Sequence, residues 1–239
     1  MSTYTKKLRL IKPDWEVDEI GPTLEAVAAN FQVLDDISPD YADSPPVSGN
    51  WPSKHLLYAN RLEIGGYVGW VNIRTGIAAP KWQKLKSYAN GERVVPAKDN
   101  GHYYTCIQTG YSGLIEPIFP VSDSGVVQDT RGGNTWNPNH LYQVDDIVFP
   151  TVDNGRFYVC IQSGESGDTE PGWVLVDGAT TYDNNAVWHS YKIAKWQESG
   201  AAALYRPFGK SSDGDIDMAR WISLINLRGV YTSPHSLFP

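Results

Sequence analysis

Two cysteines in 239 residues, Cys106 and Cys160, are too few for a disulfide-built secreted scaffold. Without histidine help they are also too few for a cysteine-based zinc site. The five histidines, at 55, 102, 140, 189 and 235, include no two at metal-ligand spacing. No apolar run approaches the roughly 18 residues of a membrane span. No apolar stretch of signal-peptide length follows the first seven residues. Positive charge is scarce: 20 Lys and Arg against 27 Asp and Glu give a net charge of −7, which argues against electrostatic grip on a nucleic-acid backbone. Also missing are Gly-x-Ser-x-Gly, a phosphate loop and Gly-x-Gly-x-x-Gly. What the chain does have is 9 Trp, 14 Tyr, 22 Gly and 16 Pro on an ordinary 41% hydrophobic background. Rigid aromatics separated by turn formers predict a mainly β protein of short strands.

An internal repeat organises the middle of the chain. Shifted by 54 residues, 82–119 aligns with 136–173, with 16 of 38 positions identical. The first copy carries Trp82, Tyr88, Val94, Pro96, Asp99-Asn100-Gly101, Tyr104, Cys106-Ile107-Gln108, Gly110, Ser112-Gly113 and Glu116-Pro117. The second carries Trp136, Tyr142, Val148, Pro150, Asp153-Asn154-Gly155, Tyr158, Cys160-Ile161-Gln162, Gly164, Ser166-Gly167 and Glu170-Pro171. Trp188 sits where a third unit would open. The Asn-Gly pairs predict tight hairpin turns. The following runs alternate, placing Tyr104, Cys106 and Gln108 on one face and Tyr103, Thr105 and Ile107 on the other. The expected unit is a small β-meander with its cysteine reduced inside its own core. Leu62–Arg74, with its Gly65-Gly66 pair, predicts another hairpin that is either a shortened relative of the unit or unrelated to it.

The ends differ. Leu24, Val27, Phe31 and Leu34 recur at helical spacing behind Pro22 and Thr23, predicting a helix over 23–37 with Thr23 as its cap. A connector with prolines at 39, 45, 46 and 52 follows. Met218, Trp221, Ile222 and Ile225 suggest a second helical stripe near the C-terminus. The organisation expected is an attachment segment 1–52, a short hairpin module 53–81, β-repeats 82–135 and 136–188 in tandem, and a mixed C-terminal segment 189–239.

The repeat pattern is Trp, Tyr-x-x-Gly-Asp-x-Val, Asn-Gly-x-x-Tyr-x-Cys, Gly-x-Ser-Gly-x-x-Glu-Pro and a closing aromatic. It resembles a module of tailed-bacteriophage virion proteins and, in outline, a diverged chitin-binding-type carbohydrate module. The Gly-Asp step stands here as Gly91-Glu92 and Asp145-Asp146. Leu8-x-Leu10-Ile11-x-Pro13 with Asn30-Phe31-x-x-Leu34-Asp35 is similar to the attachment end of phage tail fibres and baseplate appendages. The resemblance spans about 1–37 and 60–190. It implies a structural virion component made in the host cytoplasm, with other virion proteins as partners. It also implies a homo-oligomer, a trimer being favoured, with Leu24, Val27, Phe31 and Leu34 as anchoring residues. The carbohydrate outline implies the alternative, a protein recognising host surface glycans.

No catalytic residues, cofactor or metal are expected. Glu116 and Glu170 occupy equivalent loop positions, which two modules would not converge on one sugar, so each is expected to accept backbone amides instead. Asp213-Gly-Asp215-Ile-Asp217 has alternate carboxylates but lacks the further ligands of a calcium loop. Trp82, Trp136 and Trp188 are read as core or junction plugs, and Tyr103, Phe157 and Trp173 as the aromatics open to glycan stacking. Charge separates the copies: 137–188 holds 8 acidic residues and 1 basic one, against 5 of each over 83–135, so the two are not expected to play identical roles.

Overall fold

A computed structural model describes residues 3–5, 9–12, 14, 19–36 and 39–210. The aspartates 213, 215 and 217, the stripe around Trp221 and residue Ile37 of the expected helix lie outside the described residues. The chain is mainly β, and among the described residues no helix is long and apolar enough to cross a membrane. It divides into two compact units, one of Met1–Pro45, Leu56–Trp70 and Pro207–Pro239, the other of Pro46–His55 and Val71–Arg206.

The chain opens with β1 (Thr3–Tyr4), β2 (Ile11–Lys12), α1 (Ile20–Asp36), β3 (Asp40–Ala42), β4 (Asn50–Trp51), β5 (Leu56–Ala59), β6 (Tyr67–Asn72) and β7 (Gly76–Ile77). In the first unit β1 and β2 pair antiparallel, and a sheet has the order β21-β6-β5-β3, with β21 (Tyr205–Lys210) the last described strand. Gly69 lets β6 approach β5 closely, since a Cβ there would meet the Leu57 carbonyl at 2.2 Å. The helix starts three residues earlier than the sequence predicts. Proline is favoured in a first turn, where its missing N–H costs nothing, so Pro22 lies inside the helix and Thr23 does not cap it. Instead the Thr23 N–H donates to the Glu19 carbonyl.

The second unit holds both repeats. The first runs through β8 (Ser87–Tyr88), β9 (Arg93–Val94), β10 (His102–Gln108), β11 (Gly110–Tyr111) and β12 (Val126–Gln128). The second runs through β13 (Gly133–Thr135), β14 (Leu141–Tyr142), β15 (Ile147–Phe149), β16 (Arg156–Gln162), β17 (Gly164–Glu165), β18 (Thr180–Asp183) and β19 (Ala186–Lys192). Then comes β20 (Lys195–Ala201). The sheet orders are β12-β20-β10-β9 and β13-β15-β16-β19-β18. In the first, Cys106 faces Trp196; in the second, Cys160 faces Trp188.

These pairings correct the tandem arrangement. The strand that closes the first repeat lies at 195–201, not before 135. The whole second repeat is therefore inserted between β12 and β20, and Trp188 closes a repeat rather than opening one. Nor is either sheet a meander, since the last strand enters beside β10 or β16. The same plan begins a third time outside the pair. β4–β7 pair as β8–β11 and β14–β17 do. Ile77 bridges Ala202 in parallel as Tyr111 bridges Ile193. Gly76, Gly110 and Gly164 each lie so close to the backbone of the returning chain that a Cβ would sit 2.3–2.6 Å from it.

The Asn-Gly turns also differ from the expected two-residue hairpin. Seven residues join β9 to β10, and only the glycines have positive φ, 98° at Gly101 and 73° at Gly155. Asp99 and Asp153 accept the N–H of these glycines, and Asn100 and Asn154 accept the next one, forming consecutive Asx turns.

Candidate functional site

Each repeat is organised around one buried carboxylate. The Asp129 Oδ2 accepts the indole N–H of Trp82 at 2.8 Å and of Trp196 at 2.9 Å, while its Oδ1 accepts the Gly113 N–H. Asp183 does the same for Trp136, Trp188 and Gly167. Asp129 is 0% exposed, and burial pushes its carboxyl above the ordinary aspartate range. Around these carboxylates lie two cores of like composition. Tyr88, Val94, Tyr104, Cys106, Phe119 and Trp196 build one. The other uses Tyr142, Val148, Tyr158, Cys160, Trp136 and Trp188. Both cysteines are free and buried in separate cores, as expected, and burial raises both thiols.

The polar residues of the repeat motif are absorbed by the fold. Glu116 accepts the Ala97 N–H at 2.7 Å and Glu170 the Thr151 N–H at 2.9 Å, the backbone role expected of both. The hydroxyls of Ser112 and Ser166 donate to the carbonyls of Gln83 and Asn137. Asn100 and Asn154 donate to Tyr104 and Tyr158, whose hydroxyls donate on to Pro120 and Val174. One pair is particular to the first repeat. Buried Glu198 accepts from His102 Nδ1 at 2.8 Å and from the N–H groups of Ser124 and Gly200. The His102 hydrogen bond holds the Glu198 carboxyl below the ordinary glutamate range. At the corresponding place the second repeat has Arg156, bonded to Asp177 and Ser190.

One of the three glycan-stacking candidates is corrected. Phe157 is 0% exposed and packs with Ile147, Val159 and Ile193. Trp173 is half-buried on the second core, 4.2 Å from the Tyr158 ring, and its N–H donates to Glu170. Tyr103 is half-buried, with the Arg93 guanidinium over its ring. Alternation along the strands was sound, but the outer face of the second sheet is covered. Leu85, Tyr111 and Leu114 of the first repeat pack onto it. Leu85 holds a φ of 49°, a backbone conformation unfavourable for its side chain, and the equivalent Asn139 of the second repeat has 48°.

At the positions equivalent to Leu85, Tyr111, Leu114 and Ile193, the second repeat has Asn139, Glu165, Asp168 and Asn185, all exposed. The first repeat thus carries a successor on this end, and the second ends the stack with a polar surface, as terminal repeats do. Beside that end opens a cleft of about 420 Å³, lined by Asn134, Thr135, Asn137, His140, Tyr142 and Asp146 among others. Where the first repeat has the matching surface, a cleft of about 320 Å³ is lined by Val47–Gly49, Ala78–Pro80 and Gly91–Arg93.

Of the anchoring candidates, Leu24, Phe31 and Leu34 are exposed at 63%, 67% and 41%, and Val27 is half-buried. The helix is held to its own chain on another flank. The Asn30 side chain accepts the Ile11 N–H at 2.8 Å and donates to the Ile11 carbonyl at 2.7 Å.

Sequence reasoning missed Asp129 and Asp183. They too stand 54 residues apart, just beyond the aligned stretch, and each lies 47 residues after its tryptophan. Among the described residues no group of His, Cys, Asp and Glu is arranged to hold a metal ion. Comparison with family models, with curated proteins and with solved structures finds no match to this chain.

Proposed function

We propose that the protein is a structural component of a bacteriophage virion, a tail-fibre, baseplate or appendage protein. It attaches through its N-terminal segment and presents its nested β-repeats outward. The observation carrying this reading is the stripe of α1. Ile20, Leu24, Val27, Phe31 and Leu34 are spaced 4, 3, 4 and 3 residues apart, the repeat of a coiled-coil seam. Three of these lie more than 60% exposed in the described chain. A 17-residue helix with Asp35 and Asp36 at its C-terminal end, against the helix dipole, draws little stability from its own turns. Its stripe therefore requires a partner, and the resemblance supplies the kind: virion proteins, with a trimer of this chain the favoured assembly. The polar end of the second repeat suits the outward pole of such a stack. Full-length Leu24→Glu and Phe31→Glu chains test this. Both are expected to keep the parent's unfolding transition, because the side chains are exposed, and to be lost from purified particles or from the oligomer. Normal incorporation of both overturns N-terminal attachment.

A second reading, recognition of host surface glycans, is favoured by the open polar cleft on the second repeat. In both readings the protein is not an enzyme, since the repeated carboxylates are tied to backbone amides or indoles.

A further inference from the structure

The cleft on the second repeat gathers polar side chains with open hydrogen-bonding capacity around one concavity. Among the described residues, the Asn134 amide, the Thr135 hydroxyl and the His140 ring nitrogens make no hydrogen bond. Asn137 uses its amide N–H on the Thr135 carbonyl and keeps its Oδ1. Asp146 uses Oδ2 on the Gln143 N–H and keeps Oδ1. The motif residues Glu116, Glu170, Ser112 and Ser166 are committed to backbone partners. Here five side chains of mixed donor and acceptor character converge on one concavity of ligand size, with a single carboxylate and no lysine or arginine lining it.

The same place in the first repeat has been built differently. Asn134, Thr135, Asn137 and His140 correspond to Pro80, Lys81, Gln83 and Lys86. Pro80 offers no side-chain hydrogen bond, and the Lys86 ammonium lies over the Tyr88 ring at 4.8 Å. His140 instead stands edge-on to the Tyr142 ring, with centroids 4.6 Å apart, which fixes the imidazole plane at the cleft. A fold that needs the same backbone in both repeats does not need this difference.

We propose that this cleft binds a neutral saccharide unit, its hydroxyls hydrogen-bonded by Asn134, Thr135, Asn137, His140 and Asp146. A polyol presents alternating donors and acceptors without charge, which this lining matches. A phosphate or carboxylate ligand would meet Asp146 with no cation other than His140 to balance it. The inference rests on the glycan-recognition reading and assigns that reading a site other than the aromatic candidates.

Saturation-transfer NMR on the full-length chain tests it. The probes are maltotriose, cellotriose, mannotriose and chitotriose, with sialyllactose as the charged control. At least one neutral probe is expected to bind. Asn134→Ala and His140→Ala, both at exposed positions, are expected to weaken that binding about tenfold or more. Lys86→Ala, the first-repeat change that matches His140→Ala, is expected to leave it unchanged. Neutral binding insensitive to Asn134 and His140 overturns the cleft and leaves the glycan reading standing. Binding of sialyllactose alone overturns the neutral class. Binding of no probe overturns both the cleft and that reading.

Discussion

At the scale of single residues, Asp129 and Asp183 each answer three buried donors with one side chain. Alanine at either position leaves two indole N–H groups and a backbone N–H without an acceptor. The expected cost is about 2–5 kcal/mol in urea unfolding. Asn is not a rescue, because its NH₂ would face one of the donors. A loss below about 1 kcal/mol at both sites would contradict the assigned role. Titration adds opposite signs. The Glu198 carboxyl is held low, first by His102, so the stability it contributes is present above the ordinary glutamate range and is lost as pH falls through the lowered value. The Asp129 carboxyl is raised by burial, so its ionisation penalty grows as pH rises through the raised value. Glu198→Gln removes the first effect alone. Melting temperatures between about pH 3 and 6 should fall less steeply on acidification in the variant than in the parent. Equal slopes would show that the His102 pair does not report on folding.

At the scale of elements, the Asx turns before β10 and β16 require positive φ only at Gly101 and Gly155. No atom lies within 4 Å of a Cβ built on Gly155, so a substitution there isolates backbone strain. Gly155→Val should cost at least about 1 kcal/mol with no change in the described contacts, measured by thermal unfolding. A parent-like melt would mean the turn relaxes. Such local features were legible from the residues themselves. Alternation around Cys106 and Cys160, the positive φ at Gly101 and Gly155 and the helical stripe depend on neighbours in sequence, and the structure has all three, with a different turn type and an earlier helix start. Phe157 failed as a glycan candidate for another reason. Phe157 lies on the expected strand face, but that face is covered by Leu85, Tyr111 and Leu114 from an earlier stretch of chain. Nothing local in 136–188 records this. The cleft on the second repeat was not foreseen either, because Asn134, Thr135 and Asn137 read as ordinary turn formers until Asp146 and His140 are folded beside them.

At the scale of the whole molecule, the insertion of one repeat within another was hidden by the offset that revealed the repeats. Strands β8–β11 match β14–β17, and Asp129 matches Asp183, at a shift of 54, while the closing tryptophans, Trp188 and Trp196, match at a shift of eight. The indole-to-carboxylate bond that spans 5 residues in the second repeat spans 67 in the first. A search at one shift finds the opening of each sheet and not its closure. The nesting also assigns the ends. The chain enters and leaves the first repeat on the side of Gly76 and Ala202, and reaches the second only through the first. Two acidic residues of the second repeat, Glu165 and Asp168, then stand exposed where the first repeat has Tyr111 and Leu114 to carry its successor.

The nesting itself is tested by shortening the chain. In the second repeat, Asn184-Asn185 joins Asp183 to Ala186; replacing residues 130–193 of the first by Asn-Asn joins Asp129 to Ala194 in the same way. The exposed apolar end is given the polar residues of the second repeat by Leu85→Asn, Tyr111→Glu and Leu114→Asp. Thermal unfolding followed by near-ultraviolet circular dichroism reads the packing of Trp82 and Trp196 around Asp129. A single cooperative transition, with a tryptophan signal that Asp129→Ala abolishes, is the predicted result. A chain with no cooperative transition and no fixed tryptophan environment would contradict the insertion and return the repeats to a tandem arrangement.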